Sequence, residues 1–149
     1  MDGKVHQAVA VPAGIGVSLF QTHGQPIFGR FVEAAGAGLG ASFAARLPDC
    51  WDPPYAPCHR ALAHSVALAV PATILASAEV SGIQDQLRLE AASHAWAAQC
   101  AADPLVRFWH TLCEWFYQFM SGCLVGLVVG YGSHLALDAF TPRSLPLIA

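Results

Sequence analysis

Four apolar stretches with few charged side chains constrain most strongly what this chain can fold into. Each stretch is rich in Ala, Gly, Leu and Val and lacks strict alternation of polar and apolar residues, which favours helix over strand. The stretches run from about Gln7 to Phe20, from Phe31 to Leu47, from Ala61 to Ala78 and from Phe116 to Leu137. We therefore predict an all-α fold built on a bundle of four apolar helices.

The segment between the third and fourth stretches has a different character. Residues 79–115 mix charged and apolar side chains at helical spacing, and the sequence "ADP" at 102–104 interrupts the pattern. We predict one or two amphipathic helices here. Aromatic side chains in this region suit either an interfacial membrane belt or ordinary packing in a soluble fold: Trp96, Trp109, Trp115 and Tyr117.

Composition favours a membrane setting for this bundle. The chain has 149 residues, of which 55% are hydrophobic and 11% charged, whereas a soluble domain has about 25% charged residues. The fourth stretch clearly reaches the roughly 20 apolar residues that a bilayer span requires. We expect a single domain over residues 1–149 that crosses a membrane more than once.

Charge and cysteine usage exclude other classes. The net charge is −3 and the basic residues are scattered, so we expect no duplex nucleic acid partner. The five cysteines include no Cys-x-x-Cys pair, which indicates neither a disulfide framework nor a cysteine zinc knuckle.

Histidine and aspartate side chains cluster at the ends of the apolar stretches. If these stretches are consecutive antiparallel helices, two helix crossings separate each group from the next. Three groups that are remote in sequence then meet at one end of the bundle. They are His6 before the first helix; Asp49, Asp52, His59 and His64 between the second and third; and His134 and Asp138 at the end of the fourth.

These residue types indicate a metal site. Mixed imidazole and carboxylate ligands suit Zn²⁺, with Mn²⁺ and Fe²⁺ as alternatives. His134 and Asp138 are four residues apart, so both face one side of a helix. Each residue taken singly has a structural explanation, such as a helix cap for Asp49 or a hydrogen-bonded core histidine for His134. Their convergence favours the metal site.

Two motifs carry a resemblance to a known family. The segments "LPDCWDPPYAPCHRALAHS" and "GYGSHLALDAFTPRSLPLI" resemble a bacterial and phage family of small membrane-bound metal-dependent hydrolases, the LexA-binding inner-membrane hydrolases. That family is distantly similar to the zinc-dependent phospholipase C and single-strand nuclease group. The resemblance implies an all-α fold with metal ions at one end and a phosphodiester or phospholipid substrate.

One departure from the family pattern affects the assignment of roles. Many members have Asp-x-Asp-His directly, whereas this chain spaces its acids as Asp49 and Asp52 and lacks the adjacent histidine. Asp52 and His59 are therefore each a candidate further ligand or general base. Arg60 is a candidate for stabilising phosphoryl charge. The expected metal ligands are His6, Asp49, His64, His134 and Asp138.

We predict a metal-dependent hydrolase at a membrane that cleaves a phosphoester of a lipid or nucleotide type. The alternatives are a non-catalytic membrane-anchored binding or regulatory protein with a structural metal, and a subunit of a membrane assembly or homo-oligomer. Membrane lipid is an expected partner. The distribution of basic residues slightly favours a cytoplasmic location of the metal end. That end carries Lys4, Arg46, Arg60 and Arg143, whereas the other end carries Arg30, Arg88 and Arg107.

Overall fold

A computed structural model describes residues 3–51 and 66–139, and every regular element within them is a helix. The prediction of an all-α bundle is confirmed. Four long helices and one short helix follow in chain order: α1 (Gly3–Gln21), α2 (Ile27–Ala44), α3 (Leu47–Trp51), α4 (Val66–Cys100) and α5 (Pro104–Ala139).

The amphipathic segment extends the two long helices and forms no separate element. Helix α4 has 35 residues and α5 has 36, so each is about 53 Å long. The chain reverses between them, where Asp103 Oδ1 accepts a hydrogen bond of 2.7 Å from the backbone N–H of Leu105. Pro104 opens α5, a position at which a missing N–H costs nothing. The interruption expected at "ADP" is thus the turn of a long α4–α5 hairpin.

Helix α5 lies at the centre and packs against α1, α2 and α4. Its closest approach is to α2, where glycines on both helices face the opposite backbone. A Cβ at Gly36 would collide with the carbonyl oxygen of Phe119, and one at Gly126 would collide with that of Ala37. Such small-residue contacts let two backbones approach closely, as membrane helices commonly do.

The distribution of apolar side chains is the reverse of that in a soluble domain. Small residues such as Ala37 and Ala41 are fully buried, while Phe20 is 81% exposed and Leu89 is 70% exposed. Large exposed apolar surfaces in helices indicate contact with lipid or with a partner. Among the helices described, α5 has the length and hydropathy required to cross a bilayer.

The helix order brings three chain segments to one end of the bundle. The start of α1, the end of α2 with α3, and the end of α5 meet there, because α1 packs along both α2 and α5. We call this the histidine end, after His6 in α1 and His134 in α5. The turn between α1 and α2, residues 22–26, lies at the other end of those two helices.

Candidate metal centre

Three ionisable side chains are buried together at the histidine end. His6 is 1% exposed, His134 is 0% exposed and Asp138 is 2% exposed. Withdrawing ionisable groups from water is costly unless they pair with one another or bind an ion. Their burial in a bundle with so few charged residues marks this cluster as a candidate functional site.

The Asp138 carboxylate bridges the Nε2 atoms of the two histidines. Its Oδ1 is 3.4 Å from His6 Nε2, and its Oδ2 is 3.5 Å from His134 Nε2. The second contact joins residues one helical turn apart in α5, as the spacing predicts. Asp49 joins from α3, with its Oδ1 3.7 Å from His134 Nε2. One ligand atom from each of His6, Asp49 and His134 fits within 4.8 Å of the others.

A carbonyl group just after α2 determines which nitrogen of the neutral His134 ring carries the proton. A helix leaves its last carbonyl groups without intrahelical partners, and the carbonyl of Ala45, just after α2, lies 2.6 Å from His134 Nδ1. A carbonyl oxygen can only accept, so Nδ1 carries the proton and donates it. The lone pair of a neutral ring is then on Nε2, which faces Asp49 and Asp138. Metal-binding histidines are commonly oriented by this kind of outer hydrogen bond.

Three of the contacts in this cluster have lengths typical of neighbouring ligands around a divalent cation. Ligands that lie about 2.0–2.2 Å from a tetrahedral zinc ion are about 3.3–3.6 Å from one another. The separations of 3.4, 3.5 and 3.7 Å between imidazole nitrogens and carboxylate oxygens are close to this range. They exceed the usual length of a direct N–H···O hydrogen bond. The donor set therefore suits a cation placed among these atoms.

The two histidine rings stack on each other, which disfavours protonation of both. Their centroids are 3.9 Å apart and the planes differ by 17°. Burial first, and then the neighbouring His134, lower the pKa of His6 below its ordinary value. Among the described residues, His6 Nδ1 is buried without a hydrogen-bond partner. Neutral imidazole is the form that binds a metal.

One side of the cluster reaches solvent. Asp49 is 29% exposed, in contrast to His6, His134 and Asp138. It is presented by α3, the short helix that follows α2 and that also contacts α5. The site therefore has three buried members and one member that meets solvent.

A hydrogen-bonded brace that the sequence did not reveal holds α1 at the site. Gln7, next to His6, donates to the Ser42 carbonyl over 3.0 Å and to its hydroxyl over 2.9 Å. Arg46 in turn donates to Gln7 Oε1 over 2.7 Å. The only sequence signal was a polar residue adjacent to a candidate ligand, which is too common to identify a partner across the bundle.

The structure brings four of the predicted site residues together, His6, Asp49, His134 and Asp138. The remaining candidates lie outside the described residues: Asp52, His59, Arg60 and His64. His23 is exposed in the turn at the opposite end.

Two other polar clusters were missed. In the α4–α5 hairpin, the Nδ1 atoms of His94 and His110 are 2.8 Å apart. In α2, the fully buried Glu33 pairs with Arg88 of α4 over 2.5 Å and accepts from Gln84 over 3.3 Å. Glu33 was visible in the sequence as an isolated acid within an apolar stretch. Such a residue requires a partner, although its spacing does not say which one.

Glycine and alanine lie inside the bundle, large apolar side chains lie outside it, and one helix is long enough to span a membrane. Together with the ionisable cluster buried at one end, these features define a helical membrane protein with a polar centre. The family model described as "YdjM inner membrane protein" matches residues 1–149. The chain therefore belongs to the YdjM inner membrane protein family. No curated protein and no solved structure matches the chain.

Proposed function

We propose that this protein is a metal-dependent hydrolase at the membrane that cleaves a phosphoester, of either lipid or nucleotide type. The observation that carries the proposal is the placement of His134 Nε2. Its lone pair faces carboxylate oxygens of Asp138 and Asp49 at 3.5 and 3.7 Å. Facing lone pairs repel one another unless a proton or a cation lies between them.

Four described residues would hold the ion: His6, Asp49, His134 and Asp138. Zn²⁺ suits this imidazole and carboxylate set best, with Mn²⁺ and Fe²⁺ as alternatives. A divalent ion supplies Lewis-acid activation of water near neutral pH. His64 is a further predicted ligand on the sequence motif, and Asp52 or His59 is the predicted proton-transfer group.

The exposure of Asp49 and the nearby positive charge favour a catalytic role for the ion over a purely structural one. Asp49 is partly exposed, so one of the four side chains meets solvent on the side of α3. Arg46, three residues earlier, is exposed at the same end and carries a guanidinium group that can attract an anionic substrate. Arg60 is predicted to stabilise phosphoryl charge. A phosphodiester or phospholipid headgroup has the charge that these arginines would recognise.

Hydrolysis by detergent-purified protein tests the proposal. The protein is stripped with a chelator, reloaded with Zn²⁺, Mn²⁺ or Fe²⁺, and assayed on a chromogenic phosphodiester and on phospholipid vesicles. We expect the chelator to abolish hydrolysis and one of the metals to restore it. His134→Ala should reduce the restored rate by about 100-fold or more, since loss even of outer partners costs 10–100-fold.

His23→Ala is the matched control, because it removes an exposed imidazole at the opposite end. It should retain the wild-type rate. Protein that is fully loaded with metal and hydrolyses none of these substrates would contradict catalysis and support a non-catalytic binding protein with a structural metal.

A further inference from the structure

A cavity of about 260 Å³ lies on the α4–α5 hairpin, away from the histidine end. It is bounded by the start of α2, by α4 from Arg88 to Gln99, and by α5 at Glu114 and Gln118. This volume is close to the lower end of the range for small-molecule sites. The hydrolase proposal makes no use of it.

One residue in the wall of the cavity, Gln118, carries a hydrogen-bond acceptor without a partner. Gln118 is 8% exposed, and its Oε1 is buried without a partner among the described residues. Its side chain occupies space left by Gly29, where a Cβ would come within 2.6 Å of Gln118 Nε2. A buried acceptor without a partner is costly. A ligand that enters the cavity and donates a hydrogen bond to Gln118 would remove this cost.

The charges around the cavity favour a cationic donor. Gln118 Nε2 donates to Glu114 Oε1 over 3.3 Å, and no basic side chain within the described residues forms an ion pair with Glu114. Arg88 also lines the cavity, but its guanidinium is committed to Glu33 and to Gln21 Oε1. The acceptors Glu114 and Gln118 thus remain for a ligand.

An aromatic ring borders the same cavity. Trp96 lines it and is 69% exposed. The face of an indole attracts an ammonium group, worth about 0.5–2 kcal/mol depending on how far the group is desolvated. A carboxylate, an amide oxygen and an indole around one small cavity are the groups that recognise an organic ammonium ion.

A neighbouring cavity of about 630 Å³ shares Glu114 and also contains Arg107 and Thr111. Arg107 donates to the Ala101 carbonyl over 2.9 Å, which leaves other guanidinium N–H groups for an anion. A ligand with its ammonium group in the inner cavity could place an attached phosphate beside Arg107.

We infer that these adjoining cavities bind an aminoalkyl phosphate of the phosphoethanolamine type, with its ammonium group held by Glu114, Gln118 and Trp96. The same chemistry is present in a free phosphoethanolamine molecule and in the headgroup of phosphatidylethanolamine. This inference does not depend on the metal centre, which lies at the other end of α5.

Two binding measurements test the inference and identify the source of the headgroup. In the first, phosphoethanolamine is titrated calorimetrically into protein in an amine-free detergent, with glycerol phosphate as the comparison ligand. In the second, native mass spectrometry compares the retention of phosphatidylethanolamine and phosphatidylglycerol from mixed vesicles. Saturable binding in the first assay assigns the soluble molecule, and selective retention in the second alone assigns the lipid.

Three variants locate the site. Glu114→Gln and Trp96→Leu should each weaken binding about tenfold, in line with one charged hydrogen bond or one cation–π contact. Trp96 is exposed, so its replacement leaves the fold intact even where Glu114→Gln disturbs it. Glu90→Gln, an exposed carboxylate on α4, should bind as the wild type does.

No preference for phosphoethanolamine or its lipid over the glycerol phosphate ligands would overturn the inference. Binding that is unchanged in both Glu114→Gln and Trp96→Leu would overturn it as well, since the ligand would then occupy another place.

Discussion

Replacing Gly126 by Ala should destabilise the bundle, although alanine is the better helix former. A Cβ at this position would collide with the Ala37 carbonyl oxygen and would lie 2.8 Å from the Ala41 backbone nitrogen. Both neighbours are backbone atoms that cannot rotate away, so α2 and α5 must separate. Overpacking of this kind costs about 3 kcal/mol at the upper end of its usual range. The gain in helix propensity returns about 1 kcal/mol, which leaves a net loss of about 2 kcal/mol.

Gly82→Ala is the matched control, because a Cβ at Gly82 in α4 meets no atom within 4 Å. Here only the propensity gain of about 1 kcal/mol remains. For a chain of this size, 1 kcal/mol corresponds to about 2–4 °C in melting temperature. Circular dichroism melts in detergent should therefore show a fall of about 4–8 °C for Gly126→Ala and a rise of about 2–4 °C for Gly82→Ala. Equal shifts in the two variants, or a rise for Gly126→Ala, would refute the close approach of α2 and α5.

Three further predictions concern the buried polar groups. Arg88→Ala should lower the free energy of unfolding by about 3 kcal/mol in a thermal melt, because it leaves the Glu33 carboxylate buried without its cation. The double variant Glu33→Gln/Arg88→Ala should recover most of that loss. No recovery would argue against the ion pair. Asp49→Ala should weaken Zn²⁺ binding at least about tenfold in a competition titration, while the metal-free melt stays close to wild type because Asp49 is partly exposed. Zn²⁺ at about 100 times its Kd should stabilise the wild type by about 2.7 kcal/mol and leave the melt of His134→Ala unchanged; an equal shift in that variant would place the ion elsewhere.

The sequence predicted the helices well because their cause is local. Apolar residues rich in Ala and Leu, with no alternation, specify helix without reference to the rest of the chain. Because two helix crossings separate each group from the next, the sequence placed His6, Asp49 and His134 at one end of the bundle. The structure confirms that they meet. Whether these residues bind metal stays a prediction, since their convergence describes geometry and does not identify an ion.

The sequence was less successful in predicting where the long helices begin and end. The change in composition near Glu79 suggested a new element, yet α4 continues through it to Cys100. A helix continues wherever its backbone hydrogen bonds continue, and a change from apolar to amphipathic residues alters its surroundings only. The real interruption, at Asp103 and Pro104, was readable because proline and a capping aspartate act on the backbone itself.

Pairings between distant residues were the least predictable part. The sequence shows glycines in both α2 and α5, but it does not show that these two helices pack against each other. Glu33 similarly required a cation, and the chain offers seven Lys and Arg residues. Only the three-dimensional arrangement selects Arg88, and only that arrangement shows that Gln118 is left facing a cavity.

The most direct test of the metal centre is elemental analysis of protein purified without added metal. We expect close to stoichiometric divalent metal in the wild type and in His23→Ala, and a loss of most of it in His134→Ala, because His134 contacts both Asp49 and Asp138. Full metal content in His134→Ala, or a metal-free wild type that does not take up Zn²⁺, would contradict the account.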